Sequence, residues 1–141
     1  MKRLFAVLLL MSSIAAASAE NIINADTTTG IVVGGHGGIM FATGGIGEDQ
    51  QEAMSNIKAD CNLHLTFSQA ISGEYLADVT LVVRNGLGQD VFNVESARPL
   101  FYAKLPSGKY VIVADWHGKQ QKREVVIAKT GAKNLYLYWP Q

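Results

Sequence analysis

A single cysteine in 141 residues excludes an internal disulfide, and with it a disulfide scaffold or a four-cysteine zinc site. Charge is scarce too. Charged residues make up 17% of the chain and the formal net charge is +0, so the electrostatic footprint of a nucleic-acid binder is missing. No stretch approaches 18 consecutive apolar residues, which leaves no transmembrane helix. The signature spacings of several chemistries are also missing. There is no G-x-x-x-x-G-K-[ST], no G-x-G-x-x-G opening a helix, no H-E-x-x-H and no G-x-S-x-G elbow. What remains is 48% apolar residues, enough to bury a core and to argue against disorder.

The first residues read as an address. Met1-Lys2-Arg3 is followed by the apolar run Leu4 to Met11, and the stretch ends in Ala17-Ser18-Ala19. Two cations, a short apolar segment and a small-residue site are the parts of a secretory signal peptide. Cleavage is expected after Ala19, giving a mature chain from Glu20 in the periplasm or outside the cell. The next residue is not a cysteine, so a bacterial lipid anchor is not supported. Loss of Lys2 and Arg3 leaves 10 cations against 12 carboxylates. They are unevenly placed. Residues 20–100 hold Lys58, Arg84 and Arg98 against ten carboxylates, whereas residues 101–141 hold seven cations against Asp115 and Glu124. Either these charges neutralise one another across the folded surface, or the basic end faces an anionic partner.

Eight of the fourteen glycines fall between residues 30 and 47. Ile31 to Val33 and Ile39 to Ala42 read as two short strands around a glycine turn. Residues 48–59 carry Glu48 and Asp49 in the first turn and an Ala53, Met54, Ile57 stripe, which predicts one helix lying outside a sheet. The same two carboxylates would repel a phosphate from that helix start. From Asn62 onward the apolar period is two. The rows are Leu63, Leu65, Phe67; then Val79, Leu81, Val83; then Tyr110, Ile112, Ala114, Trp116; strands at 91–94, 123–127 and 135–139 complete the pattern. Short strands punctuated by Gly, Asn and Pro predict a mainly β fold, an antiparallel sandwich of about seven strands with one short helix packed outside. The expected organisation is a signal peptide at 1–19, a glycine-rich segment with the helix at 20–61, and the sandwich at 62–141. A transmembrane barrel needs longer strands and no interrupting helix.

Residues 72–127 resemble the carboxypeptidase regulatory-like domains. The resemblance is carried by Ala77-Asp78-Val79-Thr80-Leu81-Val82-Val83, Asn85-Gly86-Leu87-Gly88, Leu105-Pro106-Ser107-Gly108-Lys109-Tyr110-Val111-Ile112-Val113, Gly118, and Arg123 to Ile127. It implies an immunoglobulin- or transthyretin-like sandwich and says little about function, because such domains are as a rule structural or binding modules. The whole chain is similar to small secreted bacterial proteins. Hydroxyisourate hydrolases of transthyretin type end in Tyr-Arg-Gly-Ser; this chain ends Tyr138-Trp139-Pro140-Gln141, so that activity is not implied.

Candidate chemistry is sparse. Cys61 and His64 form a C-x-x-H pair, but in a strand beginning at 61 their side chains would diverge, with Cys61 in the Leu63 row. Asp115 and His117 would share an outward face, where His36 or His64 could complete a metal site. Without a metal motif, solvated polar residues are the simpler account. The stronger lead is aromatic. Tyr136, Tyr138, Trp139, Trp116, Phe101 and Tyr102 share the C-terminal 41 residues with most of the cations, a combination typical of interface hot spots and sugar platforms. Trp116, His117, Lys119, Tyr136, Tyr138 and Trp139 are therefore the expected partner-binding residues, with no catalytic group, cofactor or metal. The function expected is a non-catalytic binding or accessory module of the cell envelope, its partner another envelope protein or a glycan. The alternatives are an inhibitor or immunity-type protein presenting residues 34–47 or 117–120 as a loop, and a hydrolase or metal-dependent enzyme.

Overall fold

A computed structural model describes residues 24–25, 30–36 and 39–140. The signal peptide expected at 1–19 and the cleavage site lie outside them, as do Gly37 and Gly38 of the expected glycine turn. In order, the elements are β1 (Asn24–Ala25), β2 (Val32–His36), β3 (Ile39–Gly44), α1 (Glu48–Lys58), β4 (Leu63–Gln69), β5 (Val79–Asn85), β6 (Asp90–Ala97), β7 (Leu100–Ala103), β8 (Gly108–Trp116), β9 (Lys119–Ile127) and β10 (Lys133–Trp139). Among the described residues no helix is long and apolar enough to cross a membrane.

The strands form two facing sheets, and the chain is a mainly β sandwich. Sheet A has the order β1-β2-β3-β7-β4-β10 and sheet B the order β6-β5-β8-β9. The inward rows are those that the period of two marks out. Leu63, Leu65 and Phe67 from sheet A meet Val79, Leu81, Val83, Tyr110, Ile112 and Ala114 from sheet B in one core. All pairings are antiparallel except the last, in which β10 runs parallel to β4, from Lys133 opposite Leu63 to Trp139 opposite Gln69. The glycine-rich segment belongs to the sandwich. Its two strands pair through Val33 opposite Ala42, and β3 continues onto β7 through Thr43 opposite Phe101.

Gly34 shows why part of this segment is glycine. A Cβ there would lie 2.3 Å from the Phe41 ring. Phe41 needs that space, because its ring stacks on Phe101 at 5.2 Å and meets Phe92 edge-on at 5.1 Å. At Gly44 a Cβ would meet Ile31 at 2.8 Å and Met54 at 3.2 Å, so glycine lets the helix close on the sheet. Met54 is fully buried there, in a second small core with Ile31, Ala42, Leu100 and Tyr102 on the outer side of sheet A. Ala53 and Ile57 pack against the same cluster, as their helical spacing predicts.

The Leu-Pro-x-Gly-x-Tyr pattern also has a local physical reason. Tyr110 begins the inward row of β8, and its hydroxyl donates to the Pro106 carbonyl at 2.7 Å, closing the turn on itself. Burial pushes the Tyr110 phenol above its ordinary pKa.

Candidate functional site

The alternation along β10 divides the expected binding residues into two groups. Leu137 and Trp139 point into the sandwich, while Tyr136 and Tyr138 point out from sheet A. Trp139 is 1% exposed, and its indole N–H donates to the Lys119 carbonyl at 2.8 Å. It therefore joins the end of β10 to the start of β9, and its ring belongs to the core. Trp116 is half-buried, 6.5 Å from Trp139 between ring centres, and the exposed His117 ring lies against it at 4.3 Å. This group sits at the β8–β9 hairpin. His117 takes a φ of 52° and Gly118 a φ of 81°, the pair of positive angles that a tight two-residue hairpin needs. Asp115 accepts the Gly118 N–H at 3.0 Å. Its carboxylate thus shapes the turn, in which His117 and Gly118 form a tight corner and Lys119 and Gln120 already belong to β9.

Phe101 and Tyr102, included among the aromatic candidates, are buried instead, at 0% and 5% exposure. The reason is β7, whose four residues are all buried because the sandwich core covers one face and the helix side covers the other.

Tyr136 and Tyr138 open onto a surface that sequence periodicity does not reveal. Tyr136 lies opposite Thr66, and Tyr138 opposite Ser68, on the outer face of β4. On the other side of Ser68, an isolated antiparallel bridge brings in Tyr75. Directly paired residues share a face, so Tyr138, Ser68 and Tyr75 form one row across the sheet. Tyr136, Thr66 and Leu100 form the next row, and Asn134, His64 and Tyr102 the third. The three outer tyrosines are 49–56% exposed, whereas Ser68 beneath them is 5% exposed. Among the described residues no side-chain partner satisfies the Ser68 hydroxyl. Burial is the largest cause raising the Tyr102 phenol above its ordinary pKa, and Tyr75, Tyr136 and Cys61 add smaller electrostatic pushes. Nothing in the local sequence marks Tyr75. It sits in an irregular stretch, and only the bridge to Ser68 recruits it.

Cys61 and His64 do not form the pair that their spacing suggests, though not for the reason expected. The strand starts at Leu63, so Cys61 is not in the inward row; it packs beside the second core under the helix. Burial, reinforced by Asp60 and opposed by Lys104, pushes its thiol up, which disfavours the thiolate. His64 is 7% exposed. Its Nε2 meets the carbonyls of Lys58 and Cys61, both at 2.9 Å, and so donates; Nδ1 pairs with the Asn134 amide at 2.8 Å. Both ring nitrogens are committed, Nε2 tying the end of α1 to the sheet and Nδ1 tying β4 to β10. No group of three metal-ligating side chains occurs among the described residues. The His36 side chain lies outside them.

Compared with known proteins, the chain matches no protein-family model and no curated protein.

Proposed function

We propose that the chain is an exported, non-catalytic binding module of the cell envelope, and that its binding surface is the outer tyrosine face of sheet A. The observation that carries this reading is the row Tyr138, Ser68, Tyr75. Two half-exposed rings flank a buried hydroxyl on a rigid sheet, with Tyr136 alongside. Tyrosines on a stiff scaffold offer large contact area at small entropic cost. Export rests on the signal-peptide pattern of residues 1–19, and the resemblance of residues 72–127 to carboxypeptidase regulatory-like domains fits a module that binds without turnover. The raised thiol of Cys61 and the committed ring of His64 support the non-catalytic part of the reading. The inhibitor alternative draws less support. Residues 32–36 and 39–44 are paired strands of sheet A, and the corner at 117–118 is a tight turn.

The test is sedimentation of labelled exported protein with purified envelopes. The double substitution Tyr75→Ala, Tyr138→Ala should cut the retained fraction about tenfold, the loss expected when an interface anchor worth ~1.4 kcal/mol or more is removed. Retention unchanged by the double substitution would overturn the assignment of the face.

A further inference from the structure

We propose that the ligand of the tyrosine face is an uncharged glycan, a refinement that rests on that face being the binding surface. Three observations select this chemistry. The first is charge. Of the outward positions in these rows, those that reach the surface are Tyr75, Tyr136, Tyr138, Asn134 and the half-buried Thr66, and none of them is a carboxylate, ammonium or guanidinium group. Lys58 approaches only the border, with its Nζ 6.0 Å from the Tyr102 ring centre. A phosphorylated or uronic-acid ligand would find no cation in the block to offset its desolvation, and a basic peptide would find no carboxylate.

The second is the buried hydroxyl. Ser68 is 5% exposed, at the floor between two rings, and no protein group among the described residues satisfies it. Buried polar groups in native proteins are almost always paired, so this one calls for a partner that arrives from outside. A hydroxyl both donates and accepts, which suits another hydroxyl and fixes neither direction. Thr66, half-buried in the adjacent row, offers the same chemistry one step along β4.

The third is the shape of the rings around it. Tyr138 and Tyr75 are two strand spacings apart, ~9.5 Å, close to the length of a disaccharide. A sugar ring presents an apolar C–H face edged by hydroxyls. The negative face of a tyrosine ring attracts that C–H face, while the sugar's edge reaches the serine. The phenol hydroxyls of Tyr75, Tyr136 and Tyr138 supply further uncharged hydrogen bonds at the rim.

The experiment uses the exported full-length product and a panel of soluble neutral oligosaccharides: β-glucan, starch dextrin, xylan, mannan and chitin fragments, with heparin as the anionic control. Binding is read by calorimetry at low salt and at about 1 M salt, where the screening length falls to ~3 Å. The expected result is binding to at least one neutral member that persists at high salt and weakens at least tenfold in both Ser68→Ala and Tyr138→Ala. Each variant should keep the denaturation midpoint of the parent. Binding to none of the neutral panel, salt-sensitive binding to heparin alone, or neutral binding indifferent to Ser68→Ala would each overturn the glycan assignment. The parallel envelope sedimentation separates the two claims. If protease treatment of the envelopes abolishes tyrosine-dependent retention, the face binds a protein: the binding surface stands and the glycan falls.

Discussion

Leu81 and Val82 are neighbours on β5 with opposite environments. Leu81 is fully buried in the sandwich core, and Val82 is half-buried on the outer side of sheet B. Leu81→Ala should cost roughly 2–5 kcal/mol through the cavity it leaves. Val82→Ala should cost well under half as much, and equal losses in denaturant melts would contradict the assigned faces. Gly34 supplies a second residue-scale test, because its role is space and not a positive φ. Gly34→Ala would drive a methyl group into the Phe41 ring and should cost about 1–3 kcal/mol by overpacking. Gly35→Ala, whose Cβ would meet the Ile39 carbonyl at 3.3 Å and the Met40 side chain at 3.9 Å, should cost less. The buried acids add a pH dependence. Cys61, Tyr102 and Tyr110 all have folded pKa values raised by burial above their ordinary values of 9.0 and 10.0. Above those values the unfolded chain has lost protons that the folded chain still holds, so stability should fall as pH rises through about 9 to 10 and beyond. A melting midpoint that rose over this range would contradict the burial of these groups.

At the scale of elements, the strands that alternate cleanly are those with the core on one side and water on the other. β5 is of this kind, and its inward row can be read directly from the sequence; in β8 the row Tyr110, Ile112, Ala114 is inward as the period of two marks it, although Val113 between them is buried as well. The helix is legible for the same reason, with a polar outer face and Met54 at the centre of its stripe. β7 hides because helix and core cover both its faces, which removes the alternation. The parallel pairing of β10 with β4 is hidden more deeply. A strand's residues show which face is buried but not which neighbour it takes or in which direction, and β10 meets β4 across about 70 residues of chain. The tyrosine face inherits both difficulties. Tyr136 and Tyr138 stand out as aromatics near the C-terminus, but Ser68 and Tyr75 become their neighbours only through long-range pairing. Trp139→Phe tests how β10 is secured. It keeps the ring in the core but removes the bond to the Lys119 carbonyl, and should cost about 0.5–1.5 kcal/mol.

For the whole molecule, the uneven division of charge along the chain does not become a continuous basic surface. Lys119 is at the hairpin corner, but Lys122 and Arg123 lie in mid-strand, opposite Val113 and Ile112, and so point to opposite faces of β9. Lys109 is near the far end of β8, which at nine residues spans ~30 Å. Lys104, Lys129 and Lys133 lie toward that same end, where β7 and β9 stop and β8 and β10 start; small separate groups of cations give weak, salt-sensitive attraction. No DNA binding should be measurable by anisotropy near 0.15 M salt, about the physiological value; submicromolar affinity would contradict this charge layout. The proposed binding face and the main core lie on opposite sides of β10. Tyr138 and Trp139 are adjacent in the chain, one 50% exposed on the tyrosine face and the other 1% exposed in the core. Substituting each by alanine and measuring both the unfolding midpoint and envelope retention tests that separation most directly. Tyr138→Ala should keep the midpoint and lose retention, while Trp139→Ala should lose about 3–5 kcal/mol of stability. If Tyr138→Ala retained full binding, or lost stability as Trp139→Ala does, sheet A would not carry the binding surface described.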